Sequence, residues 1–204
     1  MLEIILVIFY SYISGSIPFG LILTKKLDNV DIRKIGSGNI GATNVLRTGN
    51  KILAIVTLLL DVAKGYLPVL ITQIYFYEFV HLSALVTFLA HIFPVWLKFK
   101  GGKGVATYLG ILFALSLPYA ILFIFTWVAV LLIFKYSSVS SIFSSLTILV
   151  VSFIKENVSD VLLLNSHSVE NVKTILFIFF ILIVFTHRKN ISNLKNNKEG
   201  KVKF

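Results

Sequence analysis

The sequence predicts an all-α integral membrane protein of seven transmembrane helices, with five as the alternative, and three observations carry that prediction. Hydrophobic residues make up 57% of the 204 residues and charged ones only 14%. Mean hydropathy is +0.90, too apolar for a surface that must face water. Six runs, at 2–23, 52–76, 79–97, 105–134, 139–154 and 169–186, approach the length needed to cross a bilayer core. Basic residues gather beside these runs: Lys25, Lys26, Arg33, Lys34, Arg47 and Lys51; then Lys98, Lys100 and Lys103; then Arg188, Lys189, Lys195, Lys198, Lys201 and Lys203. Such clusters mark the cytoplasmic side of a membrane.

Lipid offers no water to a free backbone group, so each run must be helical. The first lacks a basic start, carries Glu3, and has Pro18 near its far end followed by Lys25 and Lys26. It reads as a retained helix rather than a cleaved leader. The second contains Asp61 and Lys64, spaced three apart as an internal ion pair that serves either a helix lock or a proton path. The fourth is broken at Leu117-Pro118, giving one kinked helix or a hairpin of two short ones. Charge parity decides between these. With the first loop and the tail both cytoplasmic, the number of crossings is odd and the amino terminus is outside, so the hairpin is preferred. Its helices of 14–16 residues are about 21–24 Å long, short of a core of roughly 30 Å. This layout puts the polar turns 33–51, 98–107, 135–141 and 187–203 on one side of a single domain, 1–204, and the loops near 75–78 and 155–172 outside.

Composition also excludes several classes. There is no cysteine, hence no disulfide framework, thiolate nucleophile or lipoprotein anchor. The net charge of +10 comes with no aromatic RNA-binding strand and no helix-turn-helix, so a nucleic-acid partner is not expected. No Gly-x-Ser-x-Gly elbow is present, and His81, His91, His167 and His187 all lack the aspartate five residues later that common His-x4-Asp acyltransferases require. No dense set of His, Asp and Glu suggests a metal, and no cofactor is expected.

What chemistry remains lies in the polar turns. In Gly36-Ser37-Gly38-Asn39-Ile40-Gly41-Ala42-Thr43-Asn44-Val45-Leu46-Arg47, the glycines let backbone N–H groups converge. Ser37, Asn39, Thr43 and Asn44 add neutral donors, and Arg47 adds a planar cation. That assortment suits a phosphate. The second turn, Lys98-Phe99-Lys100-Gly101-Gly102-Lys103-Gly104-Val105-Ala106-Thr107, fails as a P-loop because Leu97 and Gly104 occupy the diagnostic positions. It still sets Lys103 among Gly101, Gly102 and Gly104 at a helix start, where dipole and amides favour an anion. His187 and Asn190, three apart after the last run, share a face if the helix continues. Lys135-Tyr136-Ser137-Ser138-Val139-Ser140-Ser141 either offers hydroxyl donors or merely starts a helix.

Those segments, together with Ser14-Gly15-Ser16-Ile17-Pro18-Phe19-Gly20 and His187-Arg188-Lys189-Asn190-Ile191, resemble in order and spacing the bacterial acyl-phosphate:glycerol-3-phosphate acyltransferases along essentially the whole chain. The resemblance implies a multi-pass enzyme of the bacterial inner membrane with its active site facing the cytoplasm. It implies acyl transfer from acyl phosphate to the 1-hydroxyl of glycerol 3-phosphate, yielding lysophosphatidic acid, without acyl-CoA or acyl carrier protein as direct donor. Membrane lipid is its surrounding, and a separate acyltransferase that makes acyl phosphate is its functional link. Carried onto matching positions, Ser37, Arg47, Lys103, His187 and Asn190 are phosphate-binding and active-site residues, with Ser138 and Ser141 as further candidates. The chain departs from the family at Ala90, Asn193 and Asn197, where glycine, arginine and glycine are usual. The contrasting expectation is a membrane transporter or channel for a phosphorylated or anionic solute, which Asp61, Lys64 and broken helices would serve.

Overall fold

The computed structural model describes residues 1–158 and 172–202, and among these every regular element is helical. They form two units, Met1–Ala114 and Leu115–Phe204. The first holds α1 (Leu2–Ser16), α2 (Phe19–Leu27), α3 (Ala42–Leu46), α4 (Lys51–Tyr75), α5 (Val80–Ile92) and nearly all of α6 (Val105–Leu115). The second holds α7 (Leu117–Phe134), α8 (Ser137–Val158), α9 (Val172–Thr186) and α10 (Arg188–Lys195).

Among the described residues, five helical segments are long and apolar enough to cross a membrane: Leu2–Leu27, Lys51–Tyr75, Tyr77–Leu97, Leu117–Phe134 and Ser137–Ile154. A sixth is added if α9 and α10, bent by 53°, count as one. The 11-residue α6 is apolar but shorter. Large side chains such as Phe9, Ile55, Leu59, Phe125 and Ile133 are exposed, as lipid-facing helices require.

In the first unit, small residues let backbones approach. A Cβ on Gly15 of α1 would lie 2.4 Å from the Thr87 carbonyl oxygen of α5. Gly65 of α4 stands as close to the Thr107 carbonyl, and Gly110 of α6 to that of Val62. Hydroxyl contacts join the same helices: Ser11 Oγ to Ser83 Oγ at 2.9 Å, and Tyr10 to Thr72. In lipid, packing and such polar contacts replace the drive to exclude water. In the second unit, buried serines of α8 turn back onto carbonyls four residues earlier, Ser140 to Tyr136 and Ser144 to Ser140, which spares each hydroxyl an unpaired burial.

Several boundaries differ from expectation. The run at 2–23 is two helices, because Pro18 has no N–H to give and forces Ile17 to an extended ψ of 118°. The long run at 105–134 divides at Ser116 into α6 and α7. The first loop contains a 3-10 turn at Ile32–Lys34 and the five-residue α3, and α8 begins at Ser137 rather than 139. His187 interrupts the path from α9 into α10, so Asn190 belongs to a separate helix. Most of the expected outer loop at 155–172, and the start of the run at 169, lie outside the described residues.

Candidate active site

The first glycine turn is held from within by one amide. Asn44, buried at 2% exposure, points Nδ2 at the carbonyl oxygens of Ile32 (3.0 Å), Ile35 (3.0 Å) and Asn39 (2.8 Å). Its Oδ1 accepts from the Ser37 N–H at 3.0 Å and from Arg47 Nη1 at 3.4 Å. The side chain's whole capacity is spent on the turn, so Asn44 braces the loop in this arrangement. Gly36 (φ 52°) and Gly38 (φ 71°) take the left-handed backbone, and a Cβ on Gly36 would stand 2.6 Å from Asn44 Oδ1. Beneath the loop, Leu21, Ile32, Ile40, Val45, Leu53 and Ala54 form an apolar core. A Cβ on Gly20 of α2 would lie 2.0 Å from the Ile40 carbonyl. Only a glycine there lets the loop sit directly on α2.

Two arginines of this loop are differently engaged. Arg33 grips Asp31 with Nε to Oδ1 at 2.9 Å and Nη2 to Oδ2 at 2.6 Å. These hydrogen bonds hold the Asp31 carboxyl well below the usual carboxylate range. Arg47 has no carboxylate within ion-pair distance among the described residues. It lies exposed with Ser37 and Gly38, while Asn39, Gly41 and Thr43 are half-buried. Of the two arginines, Arg47 is the one left to meet an anion among the described residues.

The second turn folds back over the end of α5. Gly101 N–H donates to the Ile92 carbonyl at 2.9 Å and Gly102 N–H to that of His91 at 3.1 Å. Lys98 and Phe99, both with positive φ (51° and 61°), reverse the chain, with Phe99 N–H closing onto Pro94 O at 3.0 Å. Gly104 (φ 83°) carries the chain into α6, whose first bond runs from Tyr108 N–H to Gly104 O at 2.7 Å. Gly102 and Gly104 are buried, and Lys103 between them is half-buried.

In the second unit, His187 is 2% exposed, and its Nδ1 lies 2.8 Å from the Ile183 carbonyl. A neutral ring there carries its proton on Nδ1 and turns its Nε2 lone pair outward from that bond. Ser138 Oγ donates to Glu199 Oε1 at 3.0 Å, and Asn190 Nδ2 donates to the same oxygen at 2.5 Å. Asn193 Nδ2 reaches Glu199 Oε2 at 3.4 Å. Ser141 differs: it donates to the Ser137 carbonyl at 2.7 Å and accepts from Trp127 Nε1 at 3.2 Å. Ser138 and Asn190 are thus brought together by the tail, and Ser141 belongs to the α7–α8 packing.

Glu199 is the residue that sequence reasoning missed. The available signal was its isolation: it is the sole acid after His187, in a stretch crowded with lysine and asparagine. The Ser14-to-Gly20 motif, matched without a role, also gains one. Ser16 Oγ accepts from Trp96 Nε1 at 2.8 Å, and the Ile17 carbonyl accepts from Lys64 Nζ at 2.6 Å.

Comparison with known proteins bears on this arrangement as a whole. The family model described as glycerol-3-phosphate acyltransferase matches residues 5–197. A protein of that name from Pelagibacter ubique is 48% identical over 202 residues, covering 99% of each chain. Its namesake from Mesorhizobium japonicum is 44% identical over 199 residues, covering 98% of this chain and 96% of its own. Among solved structures, PlsY (YgiH), an integral membrane glycerol 3-phosphate acyltransferase crystallised in its glycerol 3-phosphate form, superposes with a TM-score of 0.87 at 33% identity. That match covers 98% of this chain and 95% of the other, and the lysophosphatidic acid form gives 0.85. A single likeness spanning all the motifs at these identities assigns the protein: it is an integral membrane member of the glycerol-3-phosphate acyltransferase family.

Proposed function

We propose that this enzyme moves a fatty acyl group from acyl phosphate to the 1-hydroxyl of glycerol 3-phosphate, releasing lysophosphatidic acid and phosphate for phospholipid synthesis. The observation that carries the reading is the first turn: a glycine loop braced by Asn44, presenting Ser37 and an arginine that no carboxylate among the described residues neutralises. Such a loop holds an oxyanion without rearranging. Acyl phosphate is a mixed anhydride, so phosphate leaves readily once its charge is met by cations and N–H dipoles. The glycerol hydroxyl oxygen attacks the acyl carbonyl carbon, the bond from that carbon to the phosphate oxygen breaks, and the hydroxyl proton passes to the departing phosphate. Alignment of two bound phosphates takes the place of a protein base. Arg47, Lys103, Ser37 and the amides around Gly38, Gly41, Gly101, Gly102 and Gly104 hold phosphate. His187 and Asn190 orient or polarise the reacting groups, supported by Ser138.

The whole of 1–204 acts as one catalytic domain in the inner membrane, with its polar turns in the cytoplasm. Seven crossings, amino terminus outside and tail inside, keep every basic cluster on one face. The division of the run at 105–134 into α6 and α7, rather than one kinked helix, supports reading two crossings there. A donor this reactive has to be supplied by another acyltransferase that makes acyl phosphate. Purified protein should convert palmitoyl phosphate and labelled glycerol 3-phosphate to lysophosphatidic acid, and should give no product with palmitoyl-CoA. Equal rates from palmitoyl-CoA would overturn the donor and the chemistry built on it.

A further inference from the structure

His91 is a buried histidine that neither the mechanism nor the motif reading uses, yet the second glycine turn rests on it. A Cβ on Gly102 would lie 2.1 Å from His91 Nε2, 2.9 Å from Cε1 and 3.1 Å from Cδ2. The turn therefore lies so close to the ring that no Cβ fits between them. Three residues earlier, on the same face of α5, Phe88 supports Gly104 in the same way, with Cε2 2.4 Å from the site of a Cβ. Lys103 sits between these two supported glycines. The His91 carbonyl adds the bond from Gly102 N–H at 3.1 Å. The imidazole itself contributes little through hydrogen bonding: at 4% exposure, its Nδ1 meets no partner among the described residues. Its shape, rather than a hydrogen bond, is what the turn uses.

We propose that His91 is a positioning residue for the acyl transfer: its ring sets the height of the turn at 101–104 and so fixes where the amides flanking Lys103 meet a substrate phosphate. This rests on the phosphate-binding reading of that turn. The turn's amides hold the phosphate alike in ground and transition states, while Lys103 on its flexible four-carbon stem still reaches the developing charge, so loss of the ring raises KM more than it lowers kcat. His91→Ala should raise KM at least tenfold for the phosphate substrate held at this turn, with kcat within about threefold of parental. Measuring KM separately for palmitoyl phosphate and glycerol 3-phosphate identifies which substrate that is. His91→Phe keeps a flat ring and sacrifices no partnered atom, and should hold both KM values within about threefold.

The decisive comparison is a double substitution. Gly102→Ala alone drives a Cβ into the ring and should be severely impaired. Gly102→Ala with His91→Ala removes the obstacle, and should recover at least threefold in kcat/KM over Gly102→Ala. Gly102→Ala with His91→Phe should recover nothing. The inference is overturned if His91→Ala leaves both KM values within twofold, or if the paired alanines are no better than Gly102→Ala. Protection of the purified protein from thermal unfolding by inorganic phosphate gives a readout independent of turnover, with His91→Ala protected less than parental and His91→Phe protected equally. Failure of the parental protein to turn over either substrate would sink the proposed function, whereas equal protection in His91→Ala would sink the role of His91.

Discussion

Lys103 is the residue at which a surface charge and a phosphate clamp make the most different demands. As one of several lysines meeting lipid headgroups, it would matter no more than Lys98, about 1 kcal/mol of attraction. As a clamp between two buried glycines it matches the loss of one oxyanion donor, about 10²–10³-fold in turnover. We expect Lys103→Ala to lose activity on that larger scale while Lys98→Ala stays near parental, measured at saturating substrate on purified protein. Lys103→Arg should also be impaired, since a planar fork does not fit where a point charge does. The types of residue in both turns were legible from sequence, because glycines and isolated cations have few other uses beside a membrane. Their partners were not. Asn44 reads in sequence as one more donor in a polar loop, and only the three carbonyls converging on its amide make it a brace. Glu199 reads as a solvated acid in a lysine-rich tail until Ser138 and Asn190 are seen to meet on one of its oxygens.

At the scale of elements, the break between α1 and α2 shows what the buried pair in α4 does. Past Pro18 the chain turns on the Ile17 carbonyl, which accepts from Phe19 N–H at 3.1 Å, and Lys64 Nζ adds a second bond to the same oxygen at 2.6 Å, beside the Phe19 ring at 5.7 Å. Asp61 Oδ1 stands 2.8 Å from the same nitrogen, both side chains being 3% exposed. A lysine so engaged acts as a lock on the break rather than as a carrier of protons. Lys64→Met should cost about 3–5 kcal/mol, because it strands a buried carboxylate. Adding Asp61→Leu should restore part of the lost thermal stability in detergent, and the double variant should still turn over. Turnover below a tenth of parental in a double variant that unfolds normally would return the pair to the chemistry. Helices were legible wherever hydropathy ran long, and the division near Pro118 was legible because proline breaks a pattern already too long for one span. The division at Pro18 was hidden because hydropathy continues across it. α3 and α10, short and polar, have no periodic apolar face to announce them.

At the scale of the whole molecule, charge placement and apolar length bear differently on how many times the chain crosses. Length and apolarity alone pass five segments among the described residues, or six with the bent pair, and α6 at 11 residues is about 16 Å long against a core of roughly 30 Å. Charge placement asks for an odd number and seven satisfies every cluster, so the residue between α6 and α7 should be outside. The chain has no cysteine, so one introduced at Ser116 reports alone. Ser116→Cys should react with a membrane-impermeant maleimide from outside intact cells, and reporter fusions after Tyr75 and Phe204 should read outside and inside. Labelling of Ser116→Cys only after the cells are opened would remove α6 as a crossing. The sequence reaches this question through its lysines, since apolar length cannot distinguish a short span from a helix that enters and returns.

The tail's attachment bears on how the protein is best handled. Val202 N–H donates to the Lys135 carbonyl at 2.8 Å, and Lys201 lies over the Tyr136 ring at 5.7 Å, close in sequence to the Glu199 that joins Ser138 and Asn190. Phe204 lies two residues beyond that anchor, so whatever pulls on an affinity tag fused to it during capture on a resin pulls on the same strap. Met1, fully exposed and ahead of the first helix, carries no such tether. Amino-terminal tagging is the arrangement under which purified activity reflects the enzyme rather than its handle.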